Sequence, residues 1–160
     1  MKPPPPRAPS YLQGLPFHLA PRTAASMSER ERRVAAARAG DAQAALGAAS
    51  MLFAGEEGPV DVPLATQLLR DAAERGSLEA LLMLGGMLWS LDGHEHEGVR
   101  WLQEAAVLGA AEAVYVLGMA SARGRGLPRD VALARQFLEH AERSGIAEAR
   151  DELARLPSSG

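Results

Sequence analysis

Residues 109–145 read GAAEAVYVLGMASARGRGLPRDVALARQFLEHAERSG, and they show the repeating unit of the chain most clearly. It opens with an Ala-rich apolar segment over 110–122 that contains no proline, which predicts a first helix. The run GRGLP then interrupts the chain, because repeated glycine and proline are incompatible with a helix interior. A second amphipathic segment follows over 129–144 and ends at Gly145, since a helix C-terminus often needs a residue with positive φ. The stretch therefore predicts two helices joined by a tight turn.

The same unit recurs along the chain at a nearly constant interval. Four glycines mark its seams at intervals of 36, 33 and 36 residues: Gly40, Gly76, Gly109 and Gly145. The motifs after these glycines are DAQAA, SLEAL, AAEAV and IAEAR, which align four alanines: Ala44, Ala80, Ala113 and Ala149. A fixed period in the thirties, with two helices in each unit, is the signature of an α-solenoid.

The third unit also carries a recognisable motif, made of Ala113, Leu117-Gly118, Gly124-Arg125-Gly126-Leu127, Asp130, Ala134, Phe137, Ala141 and Gly145. This pattern resembles the Sel1-like repeat, a relative of the tetratricopeptide repeat. The resemblance covers about residues 28–157. It implies an all-α fold: a right-handed α-solenoid of about three full repeats with capping helices at its ends. It also implies a non-enzymatic adaptor that holds other proteins together.

The seams divide the chain into a tail, a repeat domain and a short end. Residues 1–27 contain seven prolines and no acidic residue, which predicts a Pro-rich disordered tail. Two alternatives remain for this tail: a polyproline ligand around Pro3–Pro9, or a translation start at Met27. The predicted repeat domain comprises a half-repeat cap over 28–39, repeats over 40–75, 76–108 and 109–144, and a C-terminal cap helix over 145–157. Residues 158–160 are predicted to be a second tail.

Apolar spacing predicts how the helices pack. Ser28 and Glu31 have the capping-box spacing, so the first helix is predicted to begin after Ser28. Ala80, Leu84 and Leu88 lie four residues apart and predict one buried stripe, with Gly85 beside it at a close helix contact. Gly118 is predicted to make the same contact in the third repeat. Each second helix is predicted to bury one large residue: Leu68, Trp101 and Phe137.

The amino-acid composition excludes several classes of partner and site. The net charge of −3 gives no field that favours nucleic acid or an anionic membrane, so neither partner is expected. The absence of cysteine excludes disulfides and Cys-based metal sites. No segment approaches the roughly 18 consecutive apolar residues of a membrane helix. The default expectation is a cytoplasmic protein.

Few residues are candidates for chemistry. His94 and His96 stand in an acidic run and could bind Zn²⁺ or Ni²⁺, but their spacing at a helix start splays the rings apart and favours a solvated turn. No nucleophile elbow or phosphate loop is present, so no catalytic residue or cofactor is predicted. Three arginines cluster at the third turn, where they favour a solvated loop over a contact with an acidic partner: Arg123, Arg125 and Arg129.

The resemblance implies that the first helix of each repeat lines a concave face. Helical spacing then places eight residues on that face as candidate contacts with a partner's helix or extended peptide: Gln43, Met51, Glu79, Met83, Met87, Glu112, Val116 and Met119. The competing interpretation is that the methionines fill gaps in the core. The alternative function is a structural subunit that self-associates end to end, but the charged terminal helices favour capping and a monomer.

Overall fold

The computed structural model describes residues 24–158, and within that range the regular structure is helical with no strand. The eight α-helices are α1 Glu29–Arg38, α2 Ala42–Ala54, α3 Val62–Glu74, α4 Leu78–Ser90, α5 Glu95–Val107, α6 Ala111–Arg123, α7 Val131–Arg143 and α8 Glu148–Arg155. The predicted all-α fold is confirmed. The predicted tail lies outside the described residues as far as Thr23, and its last part forms a 3-10 turn over Ala24–Ser26. Residues 159–160 also lie outside.

Local sequence sets where the helices begin and turn. At α1 the Glu31 N–H donates to Ser28 Oγ at 3.2 Å and the Ser28 N–H donates to Glu31 Oε2 at 2.8 Å, which confirms the predicted capping box. Aspartate side chains cap three further helices: Asp41 on α2, Asp61 on α3 and Asp130 on α7. All four seam glycines have φ between +93° and +104°, a conformation that side chains disfavour.

Helix packing follows the order of the chain. Each helix contacts the next one, and the first helices α2, α4 and α6 also contact each other in succession. One core runs from α1 to α6, and a smaller one joins α6, α7 and α8. Stacked helix pairs that bury their apolar faces against neighbouring pairs make an α-solenoid, as predicted.

The predicted buried stripe and close helix contacts are both present. Ala80, Leu84 and Leu88 are at most 2% exposed. A Cβ atom on Gly85 would lie 2.7 Å from Leu102 Cγ, and one on Gly118 would lie 2.8 Å from the equivalent atom of the buried leucine on α7. Such distances leave no room for a side chain, so glycine permits the two helices of the second repeat, and those of the third, to approach closely.

The predicted buried residue of the second helix is wrong in two of the three repeats, in each case by one position along the chain. Leu68 is buried as predicted, but Trp101 and Phe137 are only partly buried. The fully buried large residues are the next ones along: Leu69, Leu102 and Leu138. Because one residue rotates a helix by about 100°, the leucine points at the first helix while the ring lies at the edge of that face. There the Arg70 guanidinium lies 5.8 Å from the centre of the Trp101 ring.

Candidate functional site

An apolar groove lies between the first helices of the second and third repeats. It encloses about 380 Å³ and is lined by Glu79, Leu82, Met83 and Gly86 of α4, Leu102 of α5, and Glu112 and Val116 of α6. The groove brings together four of the eight residues that helical spacing selected, two from each repeat: Glu79, Met83, Glu112 and Val116. Its size falls in the range of small binding sites.

The floor of the groove is apolar and partly open to solvent. Leu82, Met83 and Val116 are each half-buried, while Leu102 closes the bottom at 1% exposure. Apart from its two chain neighbours and the local backbone of α4, no atom lies within 4 Å of the position where a Cβ atom on Gly86 would stand, so this glycine leaves a gap. The result is a depression that can accept one apolar side chain from another molecule.

Two carboxylates stand at the rim. Glu79 and Glu112 are exposed and occupy the first turns of α4 and α6, where the helix dipole stabilises negative charge. Glu79 accepts a hydrogen bond from Ser77 Oγ at 3.3 Å. Glu112 has no hydrogen bond or ion pair within residues 24–158. The rim therefore offers two carboxylates that no basic side chain of the described residues pairs with.

The other four predicted contacts lie elsewhere. Gln43 is exposed on α2 at the position equivalent to Glu79, and Met51 and Met119 are half-buried outside this groove. Met87 is 9% exposed and belongs to the main core. For Met87 the burial supports the competing interpretation, in which a flexible side chain fills a gap in the core.

Sequence reasoning missed three groove residues. Leu82 precedes Met83 by one position and shares its face only in part, and Leu102 comes from a second helix. Gly86 could have been identified from the sequence, because it follows Gly85 directly in the middle of α4. Gly85 alone is enough for the close contact between α4 and α5, so the second glycine has no packing role. A second glycine that costs helix stability without a packing reason indicates an open surface.

The arginines of the third turn form hydrogen bonds and ion pairs with other residues of the chain. Arg125 Nε donates to the Trp89 carbonyl oxygen at 3.2 Å, and its guanidinium lies 3.0 Å from Asp92. Arg123 lies 3.7 Å from Glu152, and Arg129 Nε donates to a carbonyl of α6 at 3.2 Å. The interpretation of Arg125 as part of a solvated loop is therefore wrong, because this side chain joins the third repeat to the second.

The two candidate histidines have different surroundings. His96 Nδ1 lies 2.9 Å from the Gly126 carbonyl oxygen, so this nitrogen carries a proton and donates. His94 is exposed at the N-cap of α5 and makes no capping hydrogen bond. Within the described part of the chain, no group of three or more His, Cys, Asp or Glu side chains is placed to hold a metal ion.

The terminal helices present charged outer faces. On α1, hydrogen bonds from Arg32 and Arg33 lower the pKa of the Glu29 carboxyl. On α8, Arg155 pairs with Glu152 at 2.7 Å. The large apolar side chains that are exposed in residues 24–158 all lie outside these two helices: Val60, Val107, Leu108 and Leu133. Across the same residues, no helix combines the length and apolarity that crossing a membrane requires.

Comparisons with known proteins agree with this architecture. A structure of c5321, a protective antigen of uropathogenic Escherichia coli with an SLR fold, has a TM-score of 0.67 at 24% identity. That likeness shows the fold alone; it covers 79% of this chain, which spans only 28% of the antigen's length. A Sel1 repeat protein from Oxalobacter formigenes has a TM-score of 0.58 at 29% identity, over 78% of this chain and 96% of that protein.

No curated protein matches the sequence. The family model of the Sel1 repeat matches the chain three times in tandem, over residues 40–77, 78–109 and 111–145. These three matches cover well over half of the chain and coincide with the three helix pairs α2–α3, α4–α5 and α6–α7. The chain belongs to the Sel1 repeat family.

Proposed function

We propose that this protein is a non-enzymatic interaction module that binds a helix or extended segment of a partner protein in the groove between α4 and α6. Sel1 repeat proteins are generally protein-interaction modules. One observation carries the proposal for this chain: residues selected from two separate repeats by helical spacing converge on a single apolar groove. A surface that is open, apolar and shared between two repeats is a place where binding buries area that folding leaves in water.

The groove suits a segment rather than a small molecule. Its walls are two helices of one solenoid, so the site is held by a rigid scaffold and little ordering is needed on binding. Met83 is unbranched and adapts its shape to the side chain that enters. An amphipathic helix laid along such a groove contacts it through residues three or four positions apart.

The test introduces charge into the floor. Met83→Glu with Val116→Glu places two carboxylates where an apolar side chain is expected to enter, so partner proteins captured from a cell extract should be lost. The matched control is Val107→Glu with Leu133→Glu, which makes the same change of charge at exposed apolar residues outside the groove.

Isotope-labelled capture compares the wild-type chain with both variants after circular dichroism has shown that all three are helical. We expect a set of proteins recovered by the wild-type chain and the control but depleted at least tenfold from the groove variant. Equal recovery by all three proteins would place the binding surface elsewhere and contradict the proposal.

A further inference from the structure

Successive first helices carry an aligned series of carboxylates. The third residue after each seam glycine is Gln43 on α2, Glu79 on α4, Glu112 on α6 and Glu148 on α8. All four side chains are exposed, and the three glutamates occupy the first turns of their helices. We call Glu79, Glu112 and Glu148 the acidic row. Its first two members form the rim of the apolar groove.

The acidic row continues past the groove to the C-terminal helix. Tyr115 lies on α6 and packs against apolar residues of the α7–α8 end. Burial raises the pKa of its phenol, and the carboxylates of Glu152 and Glu148 raise it further. Ala149, the residue after Glu148, belongs to the same buried cluster as Val114 of α6, which places Glu148 at the end of the solenoid where α6 and α8 meet.

Among the described residues, no basic side chain forms an ion pair with the acidic row. Some half-buried carboxylates of other helices are paired, as Glu97 is with Arg70 at 3.0 Å and Glu142 is with Arg150 at 2.8 Å. No ion pair involves any of the three members of the row within residues 24–158. Across α2, α4 and α6 the sequence contains one basic residue, Arg123, at the far end of α6. The groove therefore combines an apolar floor with two carboxylates, Glu79 and Glu112, that have no basic partner among the described residues.

We propose, on the basis of the function proposed above, that the groove binds a basic amphipathic segment of its partner. One large aliphatic side chain of that segment occupies the floor between Met83 and Val116. Lysine or arginine side chains on the same segment reach Glu79 and Glu112, and a longer segment also reaches Glu148. Complementary charge fixes the register of the segment and speeds its association, while acidic segments are repelled.

The experiment is a selection from a displayed library of random 16-residue peptides, with the full chain as the target. Three variants accompany the wild-type chain. Glu79→Lys with Glu112→Lys reverses the rim, and Met83→Glu with Val116→Glu disrupts the floor. Glu104→Lys with Glu139→Lys makes the same charge change as the rim variant at exposed residues of α5 and α7. Individual peptides are then synthesised, and their dissociation constants are measured at low and high salt.

We expect the wild-type chain and the Glu104/Glu139 control to enrich peptides that combine a large aliphatic residue with lysine or arginine. The rim variant should bind these peptides at least tenfold more weakly and enrich acidic ones instead. Binding to the wild-type chain should also weaken as salt rises, because the rim charges are exposed.

The outcomes separate the two proposals. If the wild-type chain enriches neutral or acidic peptides that the floor variant loses, the groove function stands and the basic partner is excluded. If enriched peptides bind all variants equally, or if no peptide is enriched, both proposals fail.

Sedimentation of the wild-type chain alone should give a monomer. A dimer that the floor variant abolishes would make a second copy the occupant and overturn this inference.

Discussion

Two reciprocal hydrogen bonds join Trp89 of the second repeat to Arg125 of the third repeat. Trp89 Nε1 donates to the Arg125 carbonyl oxygen at 3.1 Å, and Arg125 Nε donates to the Trp89 carbonyl oxygen at 3.2 Å. The Arg125 guanidinium also lies 5.8 Å from the centre of the Trp89 ring. The end of α4 and the turn after α6 are thereby fixed to each other, which fixes the two helices that form the groove.

Loss of this contact should destabilise the protein. Arg125→Ala removes hydrogen bonds to the carbonyls of Trp89 and Ser90 and an ion pair with Asp92. Because the side chain is 37% exposed, solvent compensates part of the loss, and we expect the free energy of unfolding to fall by about 1–2 kcal/mol. Urea denaturation of the wild-type protein and the variant measures this difference in the free energy of unfolding. Arg100→Ala, at an exposed position of α5 with no hydrogen bond or ion pair in the described chain, should change it by less than about 0.5 kcal/mol.

Two glycines of the second repeat should respond to alanine in opposite directions. A Cβ atom on Gly98 would lie 2.3 Å from the Trp89 backbone nitrogen, so Gly98→Ala forces α4 and α5 apart and should cost about 3 kcal/mol. A Cβ atom on Gly86 meets nothing within 4 Å, so Gly86→Ala should stabilise the helix by about 0.5–1 kcal/mol. Thermal unfolding of both variants shows whether the melting temperature falls for Gly98→Ala and rises for Gly86→Ala. A lower melting temperature for Gly86→Ala would show that there is no free space at this position.

The inward register of the second helices can be tested at Leu102. This side chain is 1% exposed between the two helices of its repeat, so Leu102→Ala leaves a cavity and should cost about 2–5 kcal/mol. Val107 lies on the same helix at 86% exposure, and Val107→Ala should have almost no effect on the urea midpoint. Similar losses for the two variants would mean that α5 is rotated about its axis.

The phenol of Tyr115 should titrate above its ordinary pKa of 10.0, since burial and then the carboxylates of Glu152 and Glu148 disfavour the phenolate. Ultraviolet absorbance, with Tyr115→Phe subtracted, gives that titration. Because the pKa is higher in the folded state, this group's contribution to stability is present below pH 10 and is lost as the pH rises through the folded pKa. Glu152→Gln should lower the pKa without restoring 10.0, and an ordinary pKa in the wild-type protein would show that Tyr115 is solvated.

Much of the fold could be predicted because its determinants are local and repeated. The seam glycines and the Asp and Ser caps each fix a turn through the backbone conformation of a few residues. Helical period also placed Glu79, Met83, Glu112 and Val116 on one face, because side-chain direction follows the residue number within a helix.

The rest depended on contacts between distant residues. Trp101 and Leu102 are both large and apolar, so their sequence alone does not decide which one points at α4; the close approach of Gly85 and Gly98 does. The contact between Arg125 and Trp89 joins residues 36 positions apart, and no local pattern indicates it. Met87 is 9% exposed and belongs to the main core, although helical spacing placed it on the open face.

We propose that a partner's segment lies on the floor of the groove between α4 and α6. Methyl-labelled methionine provides a direct test, because the chain has six methionines and, of the five that the structure describes, only Met83 lines the groove. A peptide enriched by the wild-type chain is titrated against the labelled protein, with each signal assigned by a Met→Leu variant. The Met83 methyl signal should shift the most, while those of Met27 and Met51 stay in place. An unmoved Met83 signal beside a shifted Met27 or Met51 signal would contradict the claim.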